Sequence, residues 1–292
     1  MNVLVVGGTG FIGTELCREL DDRDHDVTAL SRSPGDADLP ASVNRVAGDV
    51  TDYDTVADAF EGRDAVYYLV ALSPLFQPSD KGHEAVHLGG AENTVRAARD
   101  GGVDRLVHVS ALGADPDGPT AYIRTKGQAE RRVRDSGLDW TIFRPSVVFG
   151  DGGEFVPFSR RLTTPYVTGL PGGGRTRFQP VWVGDLVPML ADALDDDHVG
   201  ETHEVGGPEV LTLADVTRMA YRARGQSVSI LPVPMALAAV GLKIADPVSF
   251  VPFGADQARS LRTDNTVGNN DVTAFGVDPD DLHALRDYLG LE

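Results

Sequence analysis

The chain has 292 residues, 44 of them acidic and 26 basic, for a net charge of −18. That charge repels nucleic acid and anionic membrane surfaces, and the 41% hydrophobic content suits one large α/β unit or a core with a smaller appended lobe. Cys17 is the only cysteine, which excludes an internal disulfide and fits a reducing cytoplasm, with the thiol as a small buried apolar group. The bases are almost all arginine, Lys81, Lys126 and Lys243 being the only lysines, and the acids cluster as in Asp21-Asp22-Arg23-Asp24 and Asp195-Asp196-Asp197. This balance reads as salt adaptation, because at molar salt the Debye length shrinks to about 3 Å and self-repulsion is screened.

An apolar strand at Val3–Val6 opens the chain and leaves no room for a signal peptide ahead of it. Gly7-Gly8-Thr9-Gly10-Phe11-Ile12-Gly13 follows, and a helix-patterned run occupies Thr14–Leu20. Strand, glycines and helix in that order form a dinucleotide cradle: a tight turn, a close approach for pyrophosphate, and a helix N-terminus carrying partial positive charge. The second strand, Val27–Leu30, ends in Ser31-Arg32-Ser33 with no acid to accept from a ribose 2′-hydroxyl. A planar cation and a hydroxyl suit a 2′-phosphate, so NADP(H) is favoured, with NAD(H) as the alternative and a solvated loop arginine as the bland reading of Arg32. The third strand, Val43–Ala47, ends in Gly48-Asp49-Val50, where Asp49 borders an adenine or caps a helix.

Further strands are expected at Ala65–Val70, Arg105–Ser110 and Trp140–Phe143, with helices at Tyr53–Phe60, Lys81–Asp100 and Ala121–Ser136. This alternation implies βαβ units and a doubly wound parallel sheet. Tyr122 and Lys126 stand four apart, on one helix face. A nearby ammonium, together with an oxidised nicotinamide, favours the phenolate and lets Tyr122 exchange protons near neutrality. Ser110 at its strand end is placed to hold the substrate oxygen, and Lys126 to donate to the nicotinamide ribose.

After Arg144-Pro145 the alternation fades. The run 169–174 reads as a mobile glycine loop, Phe178–Val183 as a strand, Asp185 as a helix cap, and His203–Gly207 as a late strand returning to the sheet. Residues 1–150 are then the Rossmann core and 151–292 a capping lobe over the carboxyl edge of the sheet, with segments near 178–207 returning to the core. The uncharged stretch Gly225–Leu242 is broken by Pro232 and Pro234 and is not a membrane span. Within Ile230–Phe253, the residues Met235, Leu237, Ala238, Val240, Leu242 and Ile244 offer a docking surface or form the lobe's own core and lid. Arg144, Arg175 and Arg177 are candidates to grip an anionic group.

Val5–Gly13, Val107–Ala114, Tyr122–Lys126 and Phe143–Gly150 together resemble, in order, the extended, atypical branch of the short-chain dehydrogenase/reductase superfamily, that of the NAD-dependent epimerases and dehydratases. Ser110–Ala114 and Arg177–Asp185 are most similar to the group containing the NADPH-holding accessory subunit of respiratory complex I. The resemblance implies a Rossmann fold with bound dinucleotide and a catalytic set Ser110, Tyr122 and Lys126, without a metal. The implied cofactor-binding set is Gly7, Thr9, Gly10, Phe11, Ile12, Gly13, Ser31, Arg32, Asp49, Val50, Leu69, Ala71, Tyr122, Lys126 and Pro145. One departure is His87, where the family's sugar-nucleotide enzymes carry Asn; it reads as a satisfied helix histidine in preference to a member of a backbone or water network. Two functions follow: an oxidoreductase or isomerase of a small carbonyl or hydroxyl compound, or a non-catalytic subunit docked on respiratory-chain partners, peripheral at the membrane. A homodimer through the fourth and fifth helices is a further arrangement the resemblance allows.

Overall fold

A computed structural model of the chain describes residues 1–35, 37–73, 81–161, 163–234 and 259–291. Seven strands form one sheet: β1 Asn2–Val6, β2 Asp26–Ser31, β3 Asn44–Ala47, β4 Ala65–Tyr68, β5 Arg105–Val109, β6 Asp139–Pro145 and β7 Thr202–Val205, in the order β7-β6-β5-β4-β1-β2-β3. All pairings run parallel; β7 follows β6 through Gly200 N–H to Trp140 O (2.7 Å) and Ile142 N–H to Glu201 O (3.0 Å). Parallel strands need cover on both faces, which explains why every residue of β4 and β5 is buried. The late strand expected at His203–Gly207 is β7, two residues shorter at its end.

Helices α1 Phe11–Asp22 and α4 Val183–Asp192 pack against each other, while α2 Gly90–Asp100 and α3 Ala121–Arg134 pack together and share a core with Leu4, Leu30, Val66, Leu106 and Ile142. Adjacent side chains on β4 point to opposite faces, and each tyrosine there is tied to a helix by its hydroxyl. Tyr67 donates to Leu190 O of α4 (2.8 Å), and Tyr68 to Val86 O (2.7 Å) just ahead of α2. At the foot of β5, Arg105 closes the C-terminus of α4 by donating to Leu194 O and Asp195 O, both at 3.0 Å.

Several elements depart from the sequence expectation. The helix expected at Tyr53–Phe60 is two 3₁₀ turns, Tyr53–Thr55 and Ala57–Phe60. Thr55 Oγ1 accepts from Asp49 N–H (3.0 Å) and donates to Asp52 O (2.9 Å), so a side chain takes backbone groups that a helix would use. The helix expected from Lys81 begins with a wide π turn, Glu84–Gly89, where Tyr68 occupies the Val86 carbonyl. The strand expected at Phe178–Val183 is split into Arg177–Phe178 and Val181–Trp182, because Pro180 has no N–H to give to a ladder. Val183 already starts α4, so Asp185 lies inside its first turn rather than capping it.

Residues Met1–Leu72, Pro78–Pro145 and Val183–Glu204 form one compact unit; Ser73–Gln77, Ser146–Trp182 and Val205–Glu292 form the other. Taken by itself, the second unit has, among the described residues, three two-stranded ladders and a core of Phe149, Phe155, Leu211, Val216 and Leu285. Its helix Leu213–Arg222 starts with a capping box, Thr212 Oγ1 accepting from Asp215 N–H (3.1 Å) and Asp215 Oδ2 from Thr212 N–H (3.1 Å). The run 169–174 is ordered: Tyr166–Pro171 pairs with Val228–Val233, and Gly172–Gly174 form a turn with φ of 59°, 73° and 69°, which glycine alone adopts readily. The apolar segment from Met235 to Phe253 lies outside the described residues, and no helix among those described is long and apolar enough to cross a membrane.

Candidate cofactor and catalytic site

The turn from β1 into α1 is held mainly by backbone bonds, with the Cys17 thiol donating to Gly8 O (3.6 Å). Gly7 N–H bonds Leu30 O (2.8 Å), Gly8 N–H bonds Val5 O (3.1 Å), and Gly10 N–H bonds Gly7 O (3.0 Å), with Gly7 at φ 91°. Thr14 N–H takes Gly10 O (2.9 Å), and no side chain caps the amides ahead of it. The first turn therefore offers N–H groups and the positive end of the helix dipole to an anion. Beneath it, burial pushes the Cys17 thiol up to about 12, so this cysteine is an inert packing group.

Beside this turn, β2 ends at Ser31, whose Oγ is buried with no hydrogen-bond partner among the described residues. Arg32 next to it is exposed and makes no ion pair among them. A buried hydroxyl without a partner is the feature expected of a group that meets a ligand, whereas an exposed arginine is equally at home in solvent. Asp49 at the end of β3 does not cap a helix. Its Oδ1 accepts from Thr51 N–H (3.0 Å) and Thr51 Oγ1 (2.7 Å), and its Oδ2 from Lys81 Nζ (2.7 Å). The Lys81 bond, seconded by Thr51, holds its pKa down to about 2. That group stabilises the fold above the ordinary aspartate range and ceases to do so as pH falls from about 4 to about 2. Lys81→Met is expected to lower stability modestly at neutral pH, the pair being partly exposed, and the difference from the unmutated chain should vanish as pH falls from about 4 to about 2, as read by urea unfolding followed by circular dichroism across that range.

The second cluster surrounds the end of β5. Lys126 is buried on α3 and donates to Val109 O at 3.0 Å, tying it to the residue before Ser110. Burial lowers its pKa to about 8, against a smaller raising effect of Glu130. Ser110 Oγ is buried, at 5% exposure, and has no partner among the described residues. Tyr122 lies one turn before Lys126, and burial pushes its phenol up to about 12. In the chain alone, burial acts on this phenol; the phenolate was expected with an oxidised nicotinamide beside it.

The Tyr122 ring meets two imidazoles edge-on, His83 at 5.7 Å and His87 at 5.4 Å between centroids. His87 belongs to a backbone network after all: its Nε2 accepts from Leu72 N–H (2.9 Å) and its Nδ1 lies 3.0 Å from Thr125 Oγ1. His83, Thr125 and Lys81 were absent from the sequence-derived set. The one local signal was His83-Glu84-Ala85-Val86-His87, which has the spacing of a helical zinc pair. Both His87 nitrogens are already engaged and Glu84 is exposed; among the described residues no three His, Cys, Asp or Glu side chains gather to hold a metal ion.

Of the arginines considered for an anionic group, Arg144 is bidentate on buried Glu130 (2.9 and 2.7 Å), and Arg177 pairs with Asp264 (2.7 Å). Only Arg175, exposed, makes no ion pair among the described residues. Leu69, whose N–H bonds Val6 O (3.0 Å), Ala71 at the exit of β4, Val50 after β3 and Pro145 at the end of β6 all fall at carboxyl ends of the same sheet. That edge is where open parallel sheets take ligands.

Glycine turn, strand-end hydroxyls and uncapped helix start define a dinucleotide-binding α/β protein. The chain belongs to the NAD(P)H-binding family, whose sequence pattern matches residues 7–157. It is 30% identical to subunit 9 of the NADH dehydrogenase [ubiquinone] 1 alpha subcomplex of Arabidopsis thaliana, over 97% of this chain and 75% of that one. It is 29% identical to a 3 beta-hydroxysteroid dehydrogenase/Delta 5→4-isomerase of Mycobacterium tuberculosis, over 77% and 70% of the two chains. A nucleoside-diphosphate-sugar epimerase from Staphylococcus aureus shares the fold, with a TM-score of 0.74 at 19% identity over 99% of each chain.

Proposed function

We propose that this chain is an NADP(H)-dependent oxidoreductase or isomerase of a small carbonyl or hydroxyl compound, with Tyr122 as its general acid/base. The observation that carries this reading is the buried Ser110 hydroxyl, without a partner among the described residues, next to the residue whose carbonyl holds Lys126, a lysine one turn from Tyr122. A burial of that kind costs free energy unless a ligand completes the bond. Bound NADPH supplies the hydride. Ser110 holds the carbonyl oxygen, and the protonated Tyr122 phenol donates to it as negative charge develops; Lys126 steadies that charge and reaches the nicotinamide ribose. With its phenol pKa pushed up to about 12, Tyr122 holds the proton to be donated through the neutral range. The test is consumption of NADPH by the purified chain, in low and molar salt, against a panel of aldehydes, ketones and quinones. NADPH binding without turnover of any member of the panel overturns the enzyme reading.

Selection for the 2′-phosphate rests on Ser31 and Arg32. Arg32→Ala is expected to weaken NADPH about tenfold or more, the worth of a charge-assisted hydrogen bond, and to leave NADH unchanged. Thermal-shift titration with both nucleotides reads this directly. An unmutated chain preferring NADH sinks the assignment.

The second reading is a nucleotide-holding subunit of a respiratory assembly, favoured by a match to a complex I subunit that runs over 97% of the chain. Co-purification with respiratory-chain subunits from membranes, in a chain without turnover, supports it.

A further inference from the structure

We infer that His87 is a positioning residue of this site, bracing the chain that leaves β4 against the first turn of α3 and thereby fixing Tyr122 relative to Leu69 and Ala71. The inference rests on the enzyme reading for its catalytic consequence and on hydrogen-bond polarity for its geometry.

Leu72 N–H can only donate, so the His87 Nε2 it meets at 2.9 Å must present a lone pair. The ring proton is then on Nδ1, which donates to Thr125 Oγ1 at 3.0 Å. Thr125 in turn donates to Ala121 O (2.8 Å), with Tyr122 O at 3.1 Å beside it. One imidazole thus joins the exit of β4 to the turn that carries Tyr122, through a chain in which every donor has an acceptor. Thr125 sits between Tyr122 and Lys126 in sequence, so the brace enters α3 between the two groups proposed to act. The His87 ring also stands nearly perpendicular to the Tyr122 ring, at 82°.

Two features hold the imidazole in this tautomer. The ring is fully buried, and burial, with the charge of Lys126, lowers its pKa to about 2, so no proton displaces the Leu72 amide in the working range. The π turn Glu84–Gly89 carries the residue, and its widened backbone is anchored by Tyr68 through Val86 O (2.7 Å).

The test separates the two ends of the brace. A glutamine amide reaches the place of the imidazole Nε2, and an asparagine amide the place of Nδ1, so His87→Gln keeps the Leu72 partner and His87→Asn keeps the Thr125 partner. In His87→Asn the Leu72 amide is expected to exchange with deuterium about tenfold faster and NADPH to bind about tenfold more weakly, the loss of one hydrogen bond. In His87→Gln the Leu72 amide stays protected and NADPH affinity is kept, while kcat falls about tenfold at unchanged KM, because α3 is released from the brace. Identical NADPH affinity and Leu72 exchange in both variants and the unmutated chain, with only the melting temperature lowered, would overturn the proposal. If the unmutated chain turns over no member of the panel, the enzyme reading fails alone, and exchange and affinity still decide the brace.

Discussion

Tyr122→Phe is expected to lower turnover of NADPH with a carbonyl substrate by about 10²- to 10⁴-fold, the usual contribution of a positioned general acid. The substitution removes one oxygen and keeps the ring that packs edge-on to His83 and His87 at 5.7 and 5.4 Å. Melting temperature and NADPH affinity should therefore match the unmutated chain, and the loss should fall on kcat. At about 1.4 kcal/mol per tenfold, that loss is about 3–5 kcal/mol of transition-state stabilisation. Burial holds the phenol protonated, so the defect should be present across the neutral range rather than emerging at one end of the pH profile. Unchanged turnover in Tyr122→Phe would remove this residue from the chemistry and leave Ser110 and Lys126 without a proton donor between them.

What the sequence made legible was what is local in the chain. Alternation of apolar strands with helix patterns predicted the parallel sheet, because a strand buried on both faces reads as a continuous apolar run, as Val66-Tyr67-Tyr68 and Leu106-Val107 do. The glycine turn was legible because its glycines fall within seven consecutive positions, although Gly7 N–H also reaches Leu30 O on β2. Failures arose where a side chain reached across the fold. Thr55 broke the expected helix at Tyr53–Phe60 by bonding Asp49, and Tyr68 opened the π turn ahead of α2. His87 was read as a helix histidine because its partners lie 15 and 38 positions away, at Leu72 and Thr125. The upward push on the Tyr122 phenol in the chain alone had no sequence signal, because a pKa answers to burial as well as to the charge four residues on, and burial has no sequence pattern of its own. Arg144 looked available for an anion until the fold placed the buried Glu130 carboxylate against it.

Gly13→Ala is expected to destabilise the chain by about 1–3 kcal/mol, the range for overpacking, and to weaken NADPH binding about 10²-fold. A Cβ at position 13 would fall onto the Gly7 carbonyl oxygen, with Gly7 C and Gly8 Cα also at 2.9 Å. All three are backbone atoms, so no rotamer change relieves the contact; the β1 turn and α1 must part. The Gly7 carbonyl already receives Gly10 N–H at 3.0 Å, and Leu16, Cys17 and Leu20 on the same helix are fully buried, so the displacement spreads through the cradle. Alanine's better helix propensity, about 1 kcal/mol, offsets only part of this cost. Gly10→Ala separates folding from binding. Its Cβ would stand 3.3 Å from the Gly7 oxygen, a contact the turn can nearly absorb, but on an exposed residue at the start of the uncapped helix. That variant should melt within a few degrees of the unmutated chain and still lose NADPH affinity, since the methyl stands where a pyrophosphate approaches the amides. Full NADPH affinity in both variants would mean that the dinucleotide does not lie on this turn.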